Sequence, residues 1–171
     1  DEFGGDIPWP SLSRRDPEYV PQGRYWRGGV WLPTAYMATK GLENYEYNAL
    51  ADDLAENLLY HVLETEKNFS PRTIWETYSP TETKPSTKKR NKKWVREDFC
   101  GWSALGPISL FVENVLGIRN VNALTHTVEW DLHQTQLHGI KNLTFGKTTV
   151  DLIFDGENVQ ISSNNEFTLK Y

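Results

Sequence analysis

Residues 45–66, YEYNALADDLAENLLYHVLETE, set Tyr47, Leu50, Ala51, Leu54, Ala55, Leu58, Leu59, Val62 and Leu63 at helical spacing, with Asp52, Asp53, Glu56, Asn57 and Glu64 between them. One apolar stripe backed by acids predicts an amphipathic helix of roughly six turns. It is expected to start near Asn44 and to stop around Asn68, ahead of Pro71. Upstream, Trp31 to Lys40 reads as a short helix, with Pro33 tolerated in the first turn and Gly41 available to close it. Downstream, a third helix is expected from Ala104 to Leu116, with Ser103 near its start and Gly117-Ile118 suited to a left-handed stop. Leu105, Ile108, Leu110, Phe111, Val112 and Val115 make it apolar on most sides, so it calls for several packing neighbours. The chain supplies few of them. The sequence therefore reads as part of something larger.

The ends of the chain follow other rules. Residues 1–29 hold Pro8, Pro10, Pro17 and Pro21 together with Gly4, Gly5, Gly23, Gly28 and Gly29, and predict an irregular entry. From Thr127 the period becomes two: Val128 and Trp130, Leu143 and Phe145, then Val150, Leu152 and Phe154 alternate with polar residues. Asp155-Gly156 is a turn signal before Val159 and Ile161, and Phe167 and Leu169 supply a last element. Short antiparallel strands are expected over this tail.

Composition excludes several function classes. At 171 residues, 38% apolar and 13% aromatic, the chain is long and hydrophobic enough to fold around a core. Residues 84–93 (KPSTKKRNKK) hold six of its 18 basic residues, leaving 12 basic against 23 acidic residues elsewhere, a charge of -11. An acidic body does not attract phosphate backbones, so nucleic acid is excluded as the main partner, and the basic stretch reads as a solvated loop rather than a polyanion site. A single cysteine, Cys100, rules out an internal disulfide and a Cys-based zinc site. No apolar run is long enough to span a bilayer, so no membrane partner is expected. The start, DEFGGDIPWP, lacks Met and the features of a signal peptide, which fits a mature or excised chain; the compartment stays open, with a periplasmic or secreted setting favoured over the cytoplasm.

Three segments combine aromatics with polar groups where a helix starts or stops: YWRGGVW at 25–31, IWETYSP at 74–80 and FCGWSAL at 99–105. Aromatic faces pack on the C–H faces of sugar rings while Arg and carboxylates bond hydroxyls, the pairing a sugar pocket requires. Glu76, between Trp75 and Tyr78, is the candidate general base if desolvated; its plain alternative is an exposed Glu on an extended stretch ending at Pro80. For Arg27 the alternatives are a helix cap or an ion pair, and for Trp26, Trp31 and Trp102 a core position. The histidines, His61, His126, His133 and His138, are scattered without ligand spacing and read as structural. Dinucleotide, P-loop, zincin and nucleophile-elbow signatures are missing, so no metal and no cofactor is expected.

On these three motifs the sequence resembles the C-terminal part of the inverting glycoside hydrolases of the (α/α)6-toroid kind: family 63 glucosidases and the bacterial mannosylglycerate-hydrolase-like and trehalase-like proteins. The likeness runs from residue 3 to about 118, and the tail GIKNLTFGKTTVDLIF is similar to that of the bacterial members. It implies a mainly α fold, with residues 1–124 as the C-terminal portion of the toroid and 125–171 as a β-rich segment. By the same resemblance Tyr25, Trp26, Arg27 and Trp31 line the sugar pocket, Glu76 is the catalytic base with Tyr78 beside it, and Trp102 lies near the site. The catalytic acid is expected upstream of residue 1. The implied partners are a carbohydrate and the rest of the hydrolase chain, and the fragment alone is expected to be inactive. A non-catalytic carbohydrate-binding or structural module is the alternative.

Overall fold

The computed structural model describes residues 2–88, 93–99 and 101–171. Cys100 and residues 89–92 of the basic stretch lie outside that set. The chain divides into two compact units, Asp1–Phe111 and Val112–Tyr171.

Helices α1 (Leu32–Asn44), α2 (Asn48–Asn68) and α3 (Gly101–Leu110) form the frame of the first unit and pack on one another. Helix α2 follows the predicted stripe: Ala51, Leu54, Ala55, Leu58, Leu59, His61 and Thr65 are buried, while Leu50 and Leu63 on the flanks are exposed. Gly41 does not end α1. The helix runs on to Asn44, and the left-handed residue of the link to α2 is Glu46, at φ 65°. Where α1 and α3 cross, a Cβ on Gly106 would lie 2.9 Å from that of Leu32, so the bare glycine is what allows the close approach. Helix α3 stops at Leu110, earlier than its apolar run, and the chain widens into a π-helical turn over Phe111–Val115.

The rest of the first unit is irregular chain tied by single bridges. Pro10 pairs with Val30, Val30 with Tyr78 and Tyr78 with Pro85, so the entry segment, the first motif and the second motif are laid side by side. A further bridge joins Thr87 to Trp94.

In the second unit, β1 (Ile118–Asn122), β2 (Thr127–Trp130) and β6 (Thr168–Lys170) form one sheet in the order β1-β2-β6. A second sheet holds β3 (His138–Phe145), β4 (Thr148–Phe154) and β5 (Val159–Ser163) as an antiparallel meander. Leu116, Ile118, Val128, Trp130, Phe145, Val150 and Leu152 make its buried core, and the Trp130 indole N–H donates to the Leu116 carbonyl at 2.7 Å.

Two expectations are corrected. A mainly α molecule built as a toroid segment is not what the chain forms: the described residues hold three α-helices and two three-stranded sheets, a small mixed α/β architecture. The three helices pack on one another, and much of the first unit is strap rather than helix. Nor are the strands all antiparallel, because β6 runs parallel to β2, with Val128 opposite Leu169. Strand β1 falls where the apolar run of α3 was expected to end in a stop; its apolar Ile118 and Val121 lie three apart across a shift in register, so the period of two that marks a strand is not there to be read.

Candidate functional site

The first motif reaches its geometry through glycine. After Gly23 (φ 89°), Arg24 and Tyr25 take left-handed φ values of 29° and 62°, and Tyr25–Arg27 closes a single 3-10 turn. Gly28 then sits at φ 141°, where a Cβ would meet the Val20 carbonyl oxygen at 2.7 Å. A Cβ on Gly29 would lie 2.6 Å from both Thr77 Oγ1 and the Tyr25 carbonyl oxygen, so the glycine pair lets the first motif lie directly against the second.

Glu76 is set by the second motif. Its backbone N–H donates to the Arg96 carbonyl at 2.9 Å, and the Arg96 N–H returns a bond to Glu76 Oε2 at 3.2 Å. The other carboxylate oxygen, Oε1, accepts the Tyr25 hydroxyl at 2.8 Å. From α3, the Ser103 hydroxyl donates to the Glu76 carbonyl at 3.4 Å. The residue is 4% exposed, so the exposed-Glu alternative does not describe it. The Tyr25 phenol is pushed above its usual range, first by the bond to Glu76, then by burial and by the carboxylate's charge, with Arg96 acting in the opposite sense.

Around Tyr25 stand the tryptophans of the first and third motifs. Trp31 meets the Tyr25 ring edge-on at 4.7 Å, stacks on Trp26 at 4.0 Å with planes 7° apart, and contacts Trp102 edge-on at 5.9 Å. Trp31 is buried, whereas Trp26 and Trp102 are 46% and 49% exposed. A groove of about 350 Å³ opens beside Trp26, bordered by Phe3, Trp9, Ser11 and Thr34. A second, of about 440 Å³, runs past Trp102 between Met37 of α1 and Leu105 of α3.

Of the residues singled out from sequence, the fold thus gathers Tyr25, Trp26, Trp31, Glu76 and Trp102. Arg27 is turned to Glu18, pairing with its carboxylate and donating from Nε to its carbonyl at 3.0 Å. Tyr78 is fully buried; its hydroxyl accepts the Trp75 N–H at 3.3 Å and its ring meets His61 at 5.9 Å. Sequence reasoning missed Arg96 and Ser103, whose contribution is a backbone N–H and a hydroxyl on a carbonyl, and Lys88, whose ammonium lies 5.8 Å over the Tyr25 ring. Ser103 lies within the third motif and Lys88 within the basic stretch, but nothing in either segment points to these contacts, and Arg96 acts through its backbone, which side-chain type cannot signal.

Comparison with known proteins bears on this same region. Residues 1–101 match the family described as the mannosylglycerate hydrolase MGH1-like glycoside hydrolase domain. An uncharacterized protein of Borreliella burgdorferi is 29% identical over 154 residues, covering 88% of this chain and 32% of that protein. Mannosylglycerate hydrolase MGH1 of Selaginella moellendorffii is 48% identical over 42 residues, 25% of this chain and 8% of its own length. Mannosylglycerate hydrolase of Thermus thermophilus is 40% identical over 50 residues, 29% of this chain and 12% of its own length. The chain therefore spans 32% or less of each of these relatives.

Proposed function

The chain belongs to the MGH1-like glycoside hydrolase domain family, and from that premise we propose that it is the C-terminal part of an inverting glycoside hydrolase, supplying the general base and one wall of the sugar pocket. Glu76 is the base. The observation that carries this reading is its carboxylate, shielded from bulk solvent yet held at both oxygens by Tyr25 and Arg96 beside the Trp31–Trp26 stack. Held this way the carboxylate cannot swing away from the position it must occupy to accept a proton.

In the inverting scheme Glu76 takes a proton from a water whose oxygen bonds to the anomeric carbon as the glycosidic C–O bond breaks. A carboxylic acid about 6.5 to 9.5 Å away protonates the departing oxygen. That acid comes from chain outside these residues; the nearby Asp98 is exposed and its carboxylate accepts the Thr73 hydroxyl at 2.6 Å. The half-exposed faces of Trp26 and Trp102 stack on the sugar, with Trp31 and Tyr25 behind them, while Arg27, paired with Glu18, and the buried Tyr78 stay out of the wall. The substrate is a small glucoside-like or mannoside-like glycoside. Longer relatives, and the exposed apolar surface of α1 and α3, support a remainder of the hydrolase that covers this unit.

Glu76→Gln in the complete hydrolase tests the assignment. We expect kcat to fall by about three orders of magnitude with KM within a few-fold. Because an amide offers one acceptor where the site uses two, the unfolding midpoint should be followed in parallel. A near-normal kcat in folded protein removes Glu76 from the mechanism. Sugar binding by the complete protein without any turnover would favour instead a carbohydrate-binding module resting on Trp26 and Trp102.

A further inference from the structure

Tyr25 belongs by resemblance to the residues that line the sugar pocket, yet its one polar atom is occupied elsewhere. The hydroxyl donates to Glu76 Oε1 at 2.8 Å, while Oε2 takes the Arg96 N–H at 3.2 Å, so two donors on separate segments fix the plane of the carboxylate. Tyr25 is itself held hard. Its N–H donates to the Thr87 carbonyl at 2.9 Å, its carbonyl accepts the Gly29 N–H at 2.9 Å, and its ring stands edge-on to Trp31. A φ of 62° is one that an aromatic residue keeps only where its surroundings over-determine it, and such positions cluster where geometry is functional. The bond to Glu76 first, then burial and the carboxylate's charge, push the phenol up, so its hydroxyl remains a donor.

We infer that Tyr25 is a positioning residue for Glu76: by engaging one oxygen of the base it leaves the remaining lone pair of the carboxylate aimed at the attacking water, and it makes no bond to the sugar. The inference rests on the reading of Glu76 as base. Among the described residues, the other charged groups near this pair are Arg96, which acts on the phenol, and Lys88, whose ammonium lies over the Tyr25 ring.

The test is Tyr25→Phe, which keeps the ring against Trp31 and removes only the donor. Without the hydroxyl the carboxylate keeps only the Arg96 N–H and is free to turn about it. In the complete hydrolase kcat should fall about tenfold with KM within twofold. On the 171-residue chain, a crystal structure of Tyr25→Phe should show the Glu76 carboxylate turned from its wild-type plane while the ring keeps its place against Trp31, a readout that needs no activity, with the unfolding midpoint as a check on folding. A carboxylate that keeps its plane in Tyr25→Phe overturns the inference, as does a rise in KM with kcat in place, which would mark Tyr25 as a sugar contact. If instead Glu76→Gln keeps its kcat while the carboxylate still turns in Tyr25→Phe, the reading of Glu76 as base has failed and the bond between the two residues has not.

Discussion

The two units bury different things. The second closes a core of Leu116, Ile118, Val128, Trp130, Phe145, Val150 and Leu152, and its buried polar residues are Asn114, Thr127 and Thr148. The first buries Glu76, Thr77, Ser79, Ser86, Thr87 and Ser103 together, and leaves Trp26, Met37, Trp102, Leu105 and Ile108 exposed. The second unit exposes Leu124, Leu137 and Ile161 at separate places, whereas Met37, Trp102 and Leu105 of the first border one groove, and grouped apolar exposure marks a surface for contact. The second unit is thus organised for stability, and the first for holding one carboxylate in place and presenting surface around it.

Removing a tryptophan from each unit tests that contrast most severely. Trp130→Ala deletes a fully buried indole and its bond to the Leu116 carbonyl, and should cost about 3–5 kcal/mol, read as faster amide exchange through β1, β2 and β4. Trp26→Ala removes an indole that is half in solvent and stacked on Trp31, and should cost about 1 kcal/mol in the same assay. Equal losses would mean that Trp26 is core rather than platform.

Acid should separate the units next. His61, buried on α2 against Tyr78, has its pKa lowered from 6.5 to about 4 by burial, opposed in part by the nearby Ser79 backbone. The folded state resists protonation there and the unfolded chain does not, so stability is complete above pH 6.5 and is lost as pH falls toward 4, by up to about 3 kcal/mol. His126 and His133 in the second unit are exposed and His138 is only half-buried. Urea midpoints between pH 7 and pH 4.5 should fall more for the wild type than for His61→Gln, and the excess exchange should appear in α2. Parallel slopes for the two proteins would discard the buried histidine as the source.

How much of this was legible follows from what each region buries. Helix α2 and strands β2, β4 and β5 are legible because one face is apolar and the period shows. The three motifs were legible as aromatic and polar clusters, and the fold brings Tyr25, Trp26, Trp31, Glu76 and Trp102 together. What composition cannot carry is direction. Arg27 turns to Glu18 and Tyr78 turns inward, because backbone bridges at Val30 and Tyr78 set where the straps face. The toroid expectation was implied by the resemblance, not read from α3, whose apolar run says that partners are wanted and not how they are arranged; the described residues hold three helices and two sheets.

The smallest expected effect bears on what covers the first unit. Leu105 on α3 is 66% exposed and borders the groove beside Trp102 and Met37. In the 171-residue chain, Leu105→Gln replaces one solvated side chain by another of similar length and helix propensity, and should change stability by less than about 0.5 kcal/mol. In the complete hydrolase the same change puts an amide where an apolar contact is proposed, and should cost about 1 kcal/mol or more. The difference between the two backgrounds, not either value alone, reports contact with the proposed remainder of the hydrolase. If both backgrounds give the same small number, the apolar face of α3 is open in the complete protein as well, and the support it lends to the fragment reading is gone.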